Sequence, residues 1–120
     1  MNRIDTPVNI PSHYNPNITK EKVCDYLLSP IHPIGKFKAK FFCSLGYSQA
    51  RWKELSNDIA KVLANGTLEK VEHTHYGTKY TVSGGINSPS GKVADIVTVW
   101  IVRKGGSNPH LITAYPGEKK

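Results

Sequence analysis

A chain of 120 residues, 38% hydrophobic and 21% charged, is sized for one globular domain around one apolar core, which excludes a second domain, a disordered chain and any need for cross-links. Sixteen Lys and Arg against nine Asp and Glu leave a charge of +7, which favours a polyanion, nucleic acid first, over an acidic protein or an anionic membrane surface. No apolar run suits a signal peptide or a membrane span, so the expectation is a cytoplasmic protein without a membrane partner.

Residues 1–18 hold Pro7, Pro11 and Pro16 among small polar residues and read as an extended arm. Thr19 stands where a helix cap belongs, before "KEKVCDYLLS", in which Val23, Tyr26 and Leu27 share a face until Pro30 stops the helix. A loop pinned by Pro30, Pro33 and Gly35 leads into a second helix with Phe41, Phe42 and Leu45 inward and Gly46 at its end. Ser48 is placed to cap a third helix, where Trp52, Leu55, Ile59, Val62 and Leu63 recur at spacings of 3, 4, 3 and 1. Asn65-Gly66 ends it, with the glycine expected in the left-handed region. Cys24 and Cys43 lie in apolar stretches without the spacing of a metal knuckle or redox pair, and read as buried free thiols.

After Gly66 the apolar period changes to two. "TLEKVEHTHYGTKYTVSG" reads as two strands joined near Gly77, "KVADIVTVWIVR" as a third and "HLITAYP" as a fourth. The third is apolar on both faces, with Val93, Val97, Val99 and Ile101 against Ala94, Ile96, Trp100 and Val102, so it belongs inside the sheet or under cover on both sides. Short connectors make neighbours antiparallel. The fold class is therefore α+β: N-terminal helices packed on a four-stranded antiparallel sheet, one domain over 19–116, with 117–120 a basic tail.

No phosphate loop, dinucleotide fingerprint or helical histidine pair appears, so neither cofactor nor metal is expected. His73 and His75, two apart on a strand, share a face but lack further ligands. His32, between two prolines, is held in a rigid loop of the sort that carries functional side chains. Lys36 and Lys38 follow at a helix start, where an anion would meet both lysines and free backbone N–H groups. Lys79 is either a phosphate contact or an edge-strand lysine that blocks aggregation, and Tyr80 alternates with it. Thr113 and Tyr115 have the same parity and are expected on one face of the last strand.

"YLLSPIHPIGKFKAKFF", "LGY", "YGTKYTV", "TVWIV" and "LITAYP" together resemble a bacterial domain family of unknown function, across Tyr26 to Pro116. The helices-then-sheet plan and terminal "TAYP" strand are also similar to the barnase/EndoU/RelE-like toxin ribonucleases, which cut RNA without metal from one sheet face. That resemblance implies a metal-independent endoribonuclease of bacterial toxin type working by acid–base transesterification. It implies His32 as base or acid, Lys38 and Lys79 against phosphorane charge, Tyr80 beside them, and Thr113 and Tyr115 as hydrogen-bond donors. RNA would be the substrate and a cognate antitoxin or immunity protein the partner. The alternative is a non-catalytic nucleic-acid- or protein-binding module of the same fold.

Overall fold

In the computed structural model, which describes residues 16–33, 35–106 and 108–117, Thr19 starts the helical layer, its hydroxyl accepting the Lys22 N–H at 3.1 Å. Helix α1 (Lys20–Lys22) widens at once into a π turn (Val23–Leu27), closed by a 2.8 Å bond from Leu28 N–H to the Val23 carbonyl five residues back. The turn buries Val23, Cys24 and Leu27 and leaves Tyr26 half-buried at the rim. Helix α2 (Gly35–Ser44) buries Ala39 and Phe42, and Gly46 ends it in the left-handed region at φ +100°. Cys43 follows Phe42 by one position, about 100° round the helix, and is exposed rather than buried as expected; Cys24 is buried, and both thiols are free.

A 3₁₀ turn (Gln49–Arg51) leads into α3 (Trp52–Asn65), and Ser48 precedes that turn with its carbonyl accepting the Arg51 N–H at 3.2 Å but its hydroxyl making no capping bond. Leu55, Ile59, Val62 and Leu63 form the fully buried stripe of α3, as their spacing requires. Gly66 is extended (φ −82°, ψ −168°), not left-handed. Its lack of a side chain serves space instead: a Cβ there would lie 2.4 Å from the Ser83 carbonyl oxygen and 2.5 Å from that of Val62.

Strands β1 (Thr67–His73), β2 (Gly77–Asn87), β3 (Val93–Arg103) and β4 (His110–Pro116) form an antiparallel sheet in sequence order. Thr74 ends β1, its hydroxyl accepting the N–H groups of Tyr76 and Gly77 at 3.1 and 3.2 Å, so His75 sits in a turn and shares no strand face with His73. β2 runs on to Asn87, past the end expected at Gly84. Gly84 lets α3 lie close, since a Cβ there would meet Val62 Cγ1 at 3.3 Å.

Helix α3 covers β2 more than β3, while α1 and α2 lie over β4. Beneath them Val82, Ile86, Ile96, Trp100, Leu111 and Ala114 complete the core. A buried hydrogen-bond relay crosses it: Trp100 Nε1 donates to Thr98 Oγ1 (2.8 Å), which donates to the Val82 carbonyl (2.9 Å). The indole N–H is thus satisfied without water. Of the expected arm, residues 1–15 lie outside the described residues, as do 118–120 of the basic tail; Asn17 pairs in parallel with His110 beside β4. Among the described residues no helix is long and apolar enough to cross a membrane.

Leu55→Ala is expected to lower unfolding free energy by about 2–5 kcal/mol in denaturant titration. A loss under about 0.5 kcal/mol, typical of exposed sites, would show that this face of α3 is not the buried one.

Candidate active site around Tyr26

The loop between the π turn and α2 is built by its own polar groups. Buried Ser29 accepts the N–H groups of Ile31 and His32 on its hydroxyl at 3.3 and 3.2 Å, which turns the chain between the two prolines. His32 then caps α2: its Nδ1 accepts the Gly35 N–H at 3.0 Å and its carbonyl accepts the Lys36 N–H at 3.0 Å. With Nδ1 acting as acceptor, the neutral ring carries its proton on Nε2.

That cap brings the imidazole edge-on to Tyr26, with centroids 4.9 Å apart and planes at 82°. Gly35 makes the approach possible, because a Cβ there would lie 2.0 Å from the Tyr26 carbonyl oxygen. One turn along α2, Lys38 holds its ammonium 5.6 Å from the Tyr26 ring centroid; Lys22, four residues before Tyr26, holds its own at 4.9 Å. From β4, Thr113 Oγ1 lies 3.2 Å from the Tyr26 hydroxyl.

Burial by itself raises the phenol pKa, but the hydroxyl bond to Thr113, the hydrogen bond from Lys38 and the positive charges of Lys38 and Lys22 together bring it below the ordinary tyrosine value. An acidic phenol beside two ammonium groups and an imidazole can bind a phosphate and exchange a proton with it.

Three of the residues singled out from sequence, His32, Lys38 and Thr113, thus meet at Tyr26. The other three do not. Tyr80 pairs with Trp100 and packs under the helices. Lys79 pairs with Glu72 and Ile101 on the opposite face of the sheet. Tyr115 pairs with Val97 on that same open face and lines a depression with Thr67, Glu69, Thr81, Ser83 and Asp95. Thr113 pairs with Val99 and Tyr115 with Val97 in unbroken alternation; the register of β4 shifts only on the other side of Thr113, between it and Leu111. The Thr113 hydroxyl is left bonded to the helical layer.

Sequence reasoning missed Tyr26 and Lys22 by counting Tyr26 as one more apolar position of the first helix. Its signal is chemical: a tyrosine on a half-buried face brings a hydroxyl that needs a partner, and a lysine stands four residues before it. Among the described residues, no three His, Cys, Asp or Glu side chains gather as a metal ion requires.

A family described as a domain of unknown function (DUF6883) matches residues 10–118. No curated protein matches the chain. Among solved structures, one chain of a contact-dependent growth inhibition toxin–immunity protein complex from Klebsiella pneumoniae 342 is similar at a TM-score of 0.70 and 19% identity, covering 89% of this chain and 97% of that one. At that identity the likeness is one of fold.

Ultraviolet titration of the tyrosines is expected to show one phenol ionising below the usual value near 10, absent in Tyr26→Phe and shifted upward in Lys38→Met and Thr113→Val. Gly35→Ala, which forces α2 away from the Tyr26 carbonyl, should shift it upward as well. Because the folded protein releases this proton at lower pH than the unfolded chain, Tyr26 adds stability above the unfolded value, and that increment is lost as pH falls through the folded one. A spectrum unchanged by Tyr26→Phe below pH ~10 would remove the electrostatic description of the site.

Proposed function

The chain belongs to the DUF6883 family, and from the Tyr26 constellation we propose that its domain is an endoribonuclease of bacterial toxin type, cutting RNA by acid–base transesterification without a metal. The observation that carries this reading is the convergence of His32, Lys38, Lys22 and Thr113 on one phenol of lowered pKa. The chain's charge of +7 suits RNA, and its fold is shared with a chain from a toxin–immunity protein complex.

In the proposed reaction ionised Tyr26 takes the proton of the RNA 2′-hydroxyl, and that oxygen attacks phosphorus. Lys38 and Lys22 stabilise the phosphorane charge, and Thr113 holds the phenol in place. His32 works on the leaving side. Since Nδ1 accepts from Gly35, the neutral ring presents Nε2–H, which donates a hydrogen bond to the departing 5′-oxygen while that oxygen takes its proton from water. The products are a 2′,3′-cyclic phosphate and a free 5′-hydroxyl. Such an activity acts in the bacterial cytoplasm, where the RNA is, and calls for a cognate antitoxin or immunity protein that covers the site in the producing cell.

A nucleic-acid- or protein-binding module of this fold is the second reading, because His32 already has a structural task as the cap of α2. Cleavage of labelled RNA by the purified protein in EDTA separates the two. The expected outcome is cyclic-phosphate product, a rate lowered ~100-fold or more by Tyr26→Phe and by His32→Asn, which keeps a capping side chain, and RNA affinity nearly unchanged in both. Affinity should fall as salt rises, through release of counterions. Binding without cleavage would leave the binding module, and no binding at low salt would remove RNA from both readings.

A further inference from the structure

Beside His32, which contributes to its lining, the surface opens into a cleft of about 510 Å³ lined also by Asp25, Pro30, Ile31, Pro33 and Gln49. Its walls differ in chemistry. Pro30, Ile31 and Pro33 supply apolar lining, and Ile31 is 86% exposed, so its side chain is open to a ligand. Gln49, also in the lining, is held in place: its Nε2 donates to the Cys24 carbonyl at 2.7 Å, and the Cys24 thiol donates to its carbonyl at 3.4 Å. Asp25 stands at the rim, exposed, and among the described residues it makes no ion pair.

A carboxylate next to a site that holds a phosphodiester weakens phosphate binding by repulsion, so its presence calls for a different task. The cleft has the size of a small-ligand pocket and the two-sided character that a nucleobase needs: apolar surface for its face, a hydrogen-bonding group for its edge. We propose that this cleft is the base-binding subsite of the RNA site and that Asp25 selects guanine. The inference rests on the ribonuclease reading above.

The choice of base follows from acceptor geometry. An ionised carboxylate offers two acceptor oxygens and no donor. The Watson–Crick edge of guanine presents two adjacent donors, N1–H and the N2 amino group, which satisfy both oxygens. Adenine and cytosine set one amino group beside a ring-nitrogen lone pair, and uracil sets one N–H between two carbonyls, so each of these bases turns a lone pair toward the second oxygen. A matched bidentate pair of this type discriminates by roughly 10-fold or more.

Binding of the four nucleoside 3′-monophosphates at low salt, followed by amide chemical-shift titration or calorimetry, tests the assignment on the intact chain. Guanosine 3′-monophosphate is expected to bind roughly 10-fold tighter than the other three. Asp25→Asn should bring it level with them and leave their affinities within about twofold, whereas Lys38→Met should weaken all four alike. Asp25 is exposed, so the variant's thermal transition should match the wild type and serve as the folding control. Equal binding of all four, lost in Lys38→Met, would overturn the guanine subsite and leave the phosphate site standing, as would a preference for another base. Absence of binding by any of the four would overturn the subsite together with the RNA reading on which it rests.

Discussion

The carbonyl of Tyr26 and the backbone of Gly35 approach so closely that a single methyl group does not fit between them. This contact decides where α2 begins, and from it follow the capping bond of His32, the edge-on meeting of the two rings and the reach of Lys38 back to the phenol. The wide π turn is its counterpart on the other chain segment: it carries Val23, Cys24 and Leu27 into the core while leaving Tyr26 at the rim, where α2 and β4 both reach it. π turns of this kind are frequently found where a fold departs from regularity for a functional reason.

The sheet divides the molecule chemically. One face is closed by the helices over a core in which the buried indole of Trp100 is satisfied by the relay through Thr98 to Val82. The other face carries the alternate residues of the same strands, with the hydroxyls and carboxylates around Tyr115. Lys22 and Lys38 stand around Tyr26, whereas Glu69 and Asp95 line the open-face depression, so the two places present different charge to a neighbour. An anion therefore meets the surroundings of Tyr26 on more favourable terms than the open-face depression.

Tyr26 and Tyr47 show how placement alone separates two identical side chains. Burial raises the Tyr47 phenol and the carboxylate of Asp58, 2.6 Å away, raises it further, so that it stays a neutral hydrogen-bond donor. Tyr26 faces burial too, yet ammonium groups and a hydroxyl stand in place of a carboxylate, and its proton is held less firmly than in free tyrosine.

The periodicities of the chain determined the helices, the four strands, their antiparallel order and the buried stripe Leu55, Ile59, Val62 and Leu63, because each is set by spacings of a few residues. Local chemistry likewise placed the Thr19 cap and the Gly46 stop. Residue type in the proline-fixed loop pointed to His32 and Lys38. What spacing does not carry is the encounter of segments far apart in the chain. The register of β4 shifts between Leu111 and Thr113, Gly66 has no room for a Cβ against the Ser83 and Val62 carbonyls, and Tyr26 acquires its partners from α2 and from a strand 87 residues away. Those features depend on packing distances of a few ångströms between elements, which only the assembled tertiary structure sets.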